Sequence, residues 1–213
     1  MTGRPTRREL VAGGAGIAAA IAAVGAAPAD GEFIAGGGFD SPHALNDVHV
    51  LEHLLRAERM LEFGYQHVVQ SKWIKPPTVE VVLLGLAHEQ EHAALLERHI
   101  SALRAAVRAP AAPKRHKRGS SSIPPNVARL LNDAQNERDG LAALVDIESL
   151  AQASYFNAVS KLRDPGLALA AAQILACEAQ HWSVLVNLLH KGDANQVVPH
   201  PFVRGSLQLG PSR

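Results

Sequence analysis

Residues 82–99 read VLLGLAHEQEHAALLERH. Val82, Gly85, Glu89, His92, Leu96 and His99 recur at alternating three- and four-residue steps, the spacing that keeps side chains on one buried face of a helix. A carboxylate and an imidazole stand at the middle of that face, where an ordinary core stripe would be apolar. Residues 171–188, AAQILACEAQHWSVLVNL, repeat the pattern with Ala171, Ile174, Glu178, His181, Leu185 and Leu188. Two further stripes carry one carboxylate each: Leu51, Leu54, Glu58, Leu61, Tyr65 and Val68, and then Leu141, Leu144, Glu148, Ala151, Tyr155, Ala158 and Leu162. Four helices, each with a misplaced carboxylate at mid-length, predict an all-α bundle with a polar layer across its core. Burying unpaired charge is costly, so four carboxylates and two imidazoles in one core need a shared cationic partner, which a metal pair supplies.

The halves of the chain repeat one another. Glu58 and Glu89 are 31 positions apart, Glu148 and Glu178 30 apart; each second Glu is followed by His at the third position and each first Glu by Tyr at the seventh. Scattered at random over 213 positions, 12 Glu and 11 His give about 0.6 Glu-x-x-His pairs, and the two tyrosines give about 0.1 pairs at their spacing. Two of each occur, in matching order.

Residues three apart on a helix are neighbours on one face, about 5 to 6 Å apart, so a Glu and a His at that spacing can bind one ion while the second carboxylate oxygen reaches another. Four carboxylates neutralise two divalent cations. The mixed oxygen and nitrogen donors suit iron or manganese, and serve calcium or a thiolate-seeking zinc poorly.

On these residues the chain resembles the ferritin-like superfamily of di-iron and di-manganese carboxylate proteins, whose site takes one Glu from each of two helices and Glu-x-x-His from each of the other two. The resemblance covers Ser41 to Lys191 and implies a four-helix bundle with a long crossover between its helical pairs. It implies Glu58 and Glu148 as the single carboxylates, Glu89 with His92 and Glu178 with His181 as the paired ligands, and two Fe or two Mn ions as cofactors. Tyr65 and Tyr155 are similar to the tyrosines one heptad after a ligand Glu that hydrogen-bond the site's carboxylates.

The first helix is expected from about Ser41, with Ser41 as N-cap and Pro42 after it, to Gln70; the second from Thr78 to Arg108, after the Lys75-Pro76-Pro77 loop. The third starts somewhere between Val127 and Leu141, its early part weakened by Gly140. It breaks at Arg163-Asp164-Pro165-Gly166, where Asp164 as N-cap and Pro165 start the fourth, which runs to about Lys191. Residues 109–125, APAAPKRHKRGSSSIPP, read as the crossover, residues 30–40 as a glycine-rich leader, and residues 192–213 as an irregular tail.

Residues 1–29 read as a twin-arginine signal peptide: Thr6-Arg7-Arg8-Glu9-Leu10-Val11, a weakly apolar Gly/Ala run to Ala27, and Ala27-Pro28-Ala29 as a small-residue cleavage site. The expected location is periplasmic, cell-wall-associated or secreted, with membrane anchoring only if the signal stays on.

Lys and Arg number 21 against 20 Asp and Glu, a formal charge of +1 that draws the chain toward neither nucleic acid nor an anionic membrane. Hydrophobic residues make up 47% but aromatics 4%, a helix-favouring Ala/Leu composition. The single cysteine, Cys177, excludes a disulfide framework and a cysteine-ligated zinc or rubredoxin-type iron site within one chain, and is expected to pack as a small apolar residue.

His99 is expected to be a partly exposed histidine near its helix end, His49 and His53 a solvated pair, Glu62 and Glu91 outside the ligand set, and Lys114 to Arg118 a solvated linker. The function expected is oxidation chemistry with dioxygen or peroxide at the metal pair, ferroxidase-like, with Tyr65 or Tyr155 tuning it. Metal storage, or a non-catalytic structural or stress-associated bundle, are the alternatives. The expected partners are metal ions and dioxygen or peroxide, and a homodimer is left open.

Overall fold

In the computed structural model the described residues are 44–106, 123–191 and 193–197. They form helices α1 (Ala44–Val69), α2 (Thr78–Ala106), α3 (Pro125–Asn132), α4 (Glu137–Val159), α5 (Pro165–Leu189) and the short α6 (Ala194–Val197), and no strand among them. The twin-arginine segment, the glycine-rich leader, Ser41 and Pro42, and the basic run 114–118 lie outside the described residues.

Local signals account for most boundaries. The Asp164 side chain accepts from the Leu167 backbone N–H at 3.0 Å, capping α5, with Pro165 in its first turn. The open question of where the third helix begins resolves into two helices. Asn136 caps α4 by accepting from Asp139 N–H at 3.1 Å, while α3 is a separate amphipathic turn that buries Val127 and Leu131. Gly140 is no weak point. A Cβ there would stand 2.1 Å from Cη2 of Trp73, so the glycine lets the α1–α2 loop pack onto α4. The tail is not wholly irregular, since residues 194–197 form α6.

Two apolar clusters reveal the topology. One joins the start of α1 (Val48, Leu51, Leu54), the end of α2 (Leu96, Ile100, Leu103), the end of α4 (Tyr155, Ala158) and the start of α5 (Leu167, Ala171, Ile174). The other joins Leu61, Tyr65 and Val68 with Val82, Leu141, Leu144 and Leu185, and takes in Val127 and Leu131 of α3. Helices α1 and α5 therefore run one way and α2 and α4 the other, so the end of α2 and the start of α4 lie at opposite ends of the bundle. Helix α1 packs closely on α2 and α4, and α4 on α5, whereas the backbones of the neighbours α2 and α5 stand farther apart. Buried Asp47 accepts from the backbone N–H of Arg163 (2.9 Å) and Asp164 (3.0 Å), pinning the α4–α5 turn to α1. Among the described residues no helix is long and apolar enough to cross a membrane.

Candidate metal centre

Between the two apolar clusters lies one polar layer. Glu58, Glu89, Glu148 and Glu178 are fully buried in it, His181 is 6% exposed, and His92, at 13%, sits at its edge. All six residues singled out by the stripe pattern are thus brought together, one carboxylate from each long helix and an imidazole from α2 and α5.

Their donor atoms form two groups, each within 4.8 Å: Glu58, Glu89, His92 and Glu178, and Glu89, Glu148, Glu178 and His181. Glu89 and Glu178 belong to both groups and are the shared carboxylates, while Glu58 and Glu148 each belong to one. A pseudo-twofold relates the halves. His92 Nδ1 stands 2.9 Å from Glu178 and 3.6 Å from Glu58, while His181 Nδ1 stands 2.9 Å from Glu89 and 3.6 Å from Glu148. Each imidazole therefore lies nearest the shared carboxylate of the other half.

The fit to cations rests on lone pairs. Glu58 Oε2, Glu148 Oε2, both oxygens of Glu89 and of Glu178, and Nδ1 of His92 and His181 are buried without a hydrogen-bond partner. Buried polar atoms are rarely left so. Acceptors converging at 2.9 Å in an orientation that makes no hydrogen bond are aimed at common points between them, as ligands of an ion are.

The remaining oxygens are held by the tyrosines. Tyr65 on α1 donates to Glu148 Oε1 on α4, and Tyr155 on α4 donates to Glu58 Oε1 on α1. Burial first, and then the charge of the facing carboxylate, push both phenols well above their ordinary range, so they remain donors. The tyrosine spacing thus reaches site carboxylates, but each phenol serves the opposite half. Gly85 permits this: a Cβ there would lie 2.4 Å from the Tyr65 ring.

Without a cation the layer holds protons instead. Burial, and then the neighbouring Glu178, raise Glu148 well above the carboxylate range; burial likewise raises Glu58, with Glu178 and Glu89 adding to it against the pull of His92. Burial opposes protonation of His92 and His181. The surrounding groups, Cys177 and Glu178 at His92, and Tyr65, Cys177 and Glu148 at His181, nevertheless hold both imidazoles well above their usual value. Glu178, buried but facing both imidazoles, is held below the usual range.

Two residues of this region escaped the sequence pattern in different ways. His88 Nδ1 lies 2.9 Å from His181 Nε2, and Cys177 Sγ lies 3.5 Å from that same nitrogen. Cys177 is therefore no apolar packing residue: burial alone would raise its thiol, but hydrogen bonding to His181, His88 and His92 brings it down to about 5. The repeat itself carries the overlooked signal, since His88 and Cys177 each immediately precede the Glu of a Glu-x-x-His pair. His88 and His92 also bracket Glu89 in the H-E-x-x-H order of zinc peptidases, yet they join different ligand groups and do not share an ion.

The other candidates stand apart. Glu62 is tied to Arg59 at 2.6 Å, Glu91 is exposed, and His99 is half-buried in neither ligand group. Both His49 and His53 are exposed, the first facing Glu52 and the second Arg56.

Residues 46–191 match the family model described as ferritin-like domain. No curated protein and no solved structure matches the chain. With the match spanning most of the chain and the layer built as described, this protein belongs to the ferritin-like domain family.

Proposed function

We propose that the polar layer holds a pair of iron or manganese ions and that the protein uses them for oxidation chemistry with dioxygen or peroxide, after export by the twin-arginine route. The observation that carries this reading is the set of buried, unpartnered carboxylate and imidazole atoms arranged as two ligand groups sharing Glu89 and Glu178. Four carboxylates balance two divalent charges, and an oxygen-rich set with one imidazole per group is what iron and manganese accept. Such a pair, when bound, supplies the electrons that reduce dioxygen or peroxide.

The chain's own residues do the rest. Glu58 with His92 would hold one ion and Glu148 with His181 the other, with Glu89 and Glu178 available to both. Tyr65 and Tyr155 keep Glu148 and Glu58 from rotating by holding one oxygen of each, which leaves the second oxygen directed inward. His92, His88 and Cys177 are partly exposed on the α2–α5 side, which is where small reactants would come nearest the layer. Export after folding is supported by Arg7-Arg8 and the Gly/Ala run behind them. Loading such a site before export avoids competition from copper and zinc, which bind nitrogen and oxygen donors more tightly than iron or manganese.

Anaerobic titration with ferrous or manganous ion, followed by spectroscopy for a coupled pair and by oxygen and peroxide consumption, tests the reading. About two ions per chain and consumption dependent on them are expected. Absence of iron or manganese binding by the folded chain would leave the bundle a structural one, and uptake far beyond two ions would favour storage.

A further inference from the structure

His88, Cys177 and His181 form a third group of donors, all within 4.8 Å of one another, on the α2–α5 side of the bundle, where the two backbones stand farther apart than the other neighbours do. Around a tetrahedral zinc, with bonds of about 2.0–2.1 Å to nitrogen and about 2.3 Å to sulfur, neighbouring donors stand about 3.3 to 3.6 Å apart. The 3.5 Å between Cys177 Sγ and His181 Nε2 matches that edge, and the 2.9 Å between His88 Nδ1 and His181 Nε2 is a few tenths short, within reach of a small ring rotation. His88 and His181 lie nearly parallel, at 18°. The half-repeat explains the convergence: the residue before each shared Glu is placed on facing sides of the α2–α5 gap, one as histidine and the other as the chain's single cysteine.

The donor set differs in kind from the inner layer. Two imidazoles and one sulfur are softer than carboxylates and select a borderline-soft ion over iron or manganese. Both His88 and Cys177 are partly exposed, so the fourth position faces the solvent side. We propose that His88, Cys177 and His181 form a third cation site, for a borderline-soft divalent ion of the zinc class, at the mouth of the α2–α5 gap. His181 is shared, with Nδ1 turned to the carboxylate layer and Nε2 to the outer ion; with both sides occupied it would bind as imidazolate, its N–H proton released to solvent. An ion held there ties α2 to α5 and stands where small reactants would come nearest the layer. One cysteine excludes an all-thiolate site, but not this mixed one.

The test uses metal-free full-length protein titrated anaerobically with cobalt(II) alone as the spectroscopic stand-in for zinc. A near-ultraviolet thiolate-to-cobalt charge-transfer band is expected, saturating at about one ion per chain and displaced by zinc. The band should vanish in Cys177→Ser and need about 10- to 100-fold more cobalt in His88→Ala, each variant checked for its helical circular dichroism. It should persist in the Glu58→Gln, Glu148→Gln double variant, which separates this site from the inner pair: if iron and manganese do not bind but the band is present, only the inner reading falls. A folded wild-type chain without the band, or a His88→Ala variant with unchanged cobalt affinity, overturns the outer site and leaves His88 as no more than a hydrogen-bond partner of His181.

Discussion

Tyr65 donates its hydroxyl to Glu148, a residue 83 positions away on a helix of the opposite half, and Tyr155 returns the contact by donating to Glu58. Each tyrosine follows one of these two carboxylates along its own helix but steadies the other one. The two halves are thereby cross-braced through the metal layer, and a change in one half is read out in the ligand of the other.

Replacing Tyr65 by Phe should therefore weaken the ion position built on Glu148 and His181, and Tyr155→Phe the position built on Glu58 and His92. Each removes a buried partner from a carboxylate, at about 1–3 kcal/mol of stability and about 10- to 100-fold in affinity at the affected position. Stepwise titration of the two single variants checks this; loss of the same ion in both would refute the crossed assignment.

Shared and single carboxylates should separate by ion count. Glu89→Ala or Glu178→Ala removes a ligand of both groups and should abolish binding of the pair, whereas Glu58→Ala or Glu148→Ala should first cost one position. Glu62→Ala and Glu91→Ala should leave the count unchanged, because Glu62 is engaged by Arg59 and Glu91 is exposed. Elemental analysis after equilibrium dialysis distinguishes these outcomes.

Gly85→Ala places a methyl group 2.4 Å from the Tyr65 ring. The ring must move, so a loss of about 1–3 kcal/mol from overpacking is expected, and the hydroxyl should be pulled off Glu148. Thermal unfolding together with metal titration should show both effects, and an unaltered second ion position would mean that the ring finds another way to the carboxylate.

Metal-free and metal-loaded protein should respond oppositely to pH. Glu58, Glu148, His92 and His181 are all raised above ordinary values of 4.5 for the carboxylates and 6.5 for the imidazoles, so the folded metal-free chain binds more protons than the unfolded one. The stability these four contribute is present at low pH and is lost as pH climbs through the raised values; the lowered Glu178 acts only below its ordinary value, and the lowered Cys177, one group against four, opposes the trend between about 5 and 9. The melting temperature of the metal-free protein should fall as pH rises above the ordinary values of 4.5 for the carboxylates and 6.5 for the imidazoles, while metal affinity rises, since binding must displace those protons. Calorimetry in buffers of different ionisation enthalpy should record protons released on metal binding.

Replacing Arg7 and Arg8 by Lys should block export of the folded protein, because the twin-arginine pair is the feature on which that route depends. Fractionation of cells expressing the variant should find the chain retained, and undiminished export would exclude the route.

What the sequence determined by itself was everything written in local periodicity. A three-four repeat of apolar residues sets which face of a helix is buried, so the carboxylates and imidazoles interrupting that repeat had to meet in the core, and the duplicated spacing required the halves to be equivalent. Asp164 and Pro165 likewise announced the start of α5, because a cap is a contact between residues three apart. Only the tertiary structure decided how helices are rotated and slid against one another, for which no residue carries a local signal. That relative placement puts Glu89 and Glu178 in both donor groups, sends Tyr65 to Glu148 rather than to its own neighbour Glu58, and turns Gly140 from a weak helix position into the seat of Trp73. It also brings His88 on α2 to the nitrogen of His181 that Cys177 already reaches one turn away on α5, because the placement of one helix beside another is shaped by all four members of the bundle and not by either sequence alone.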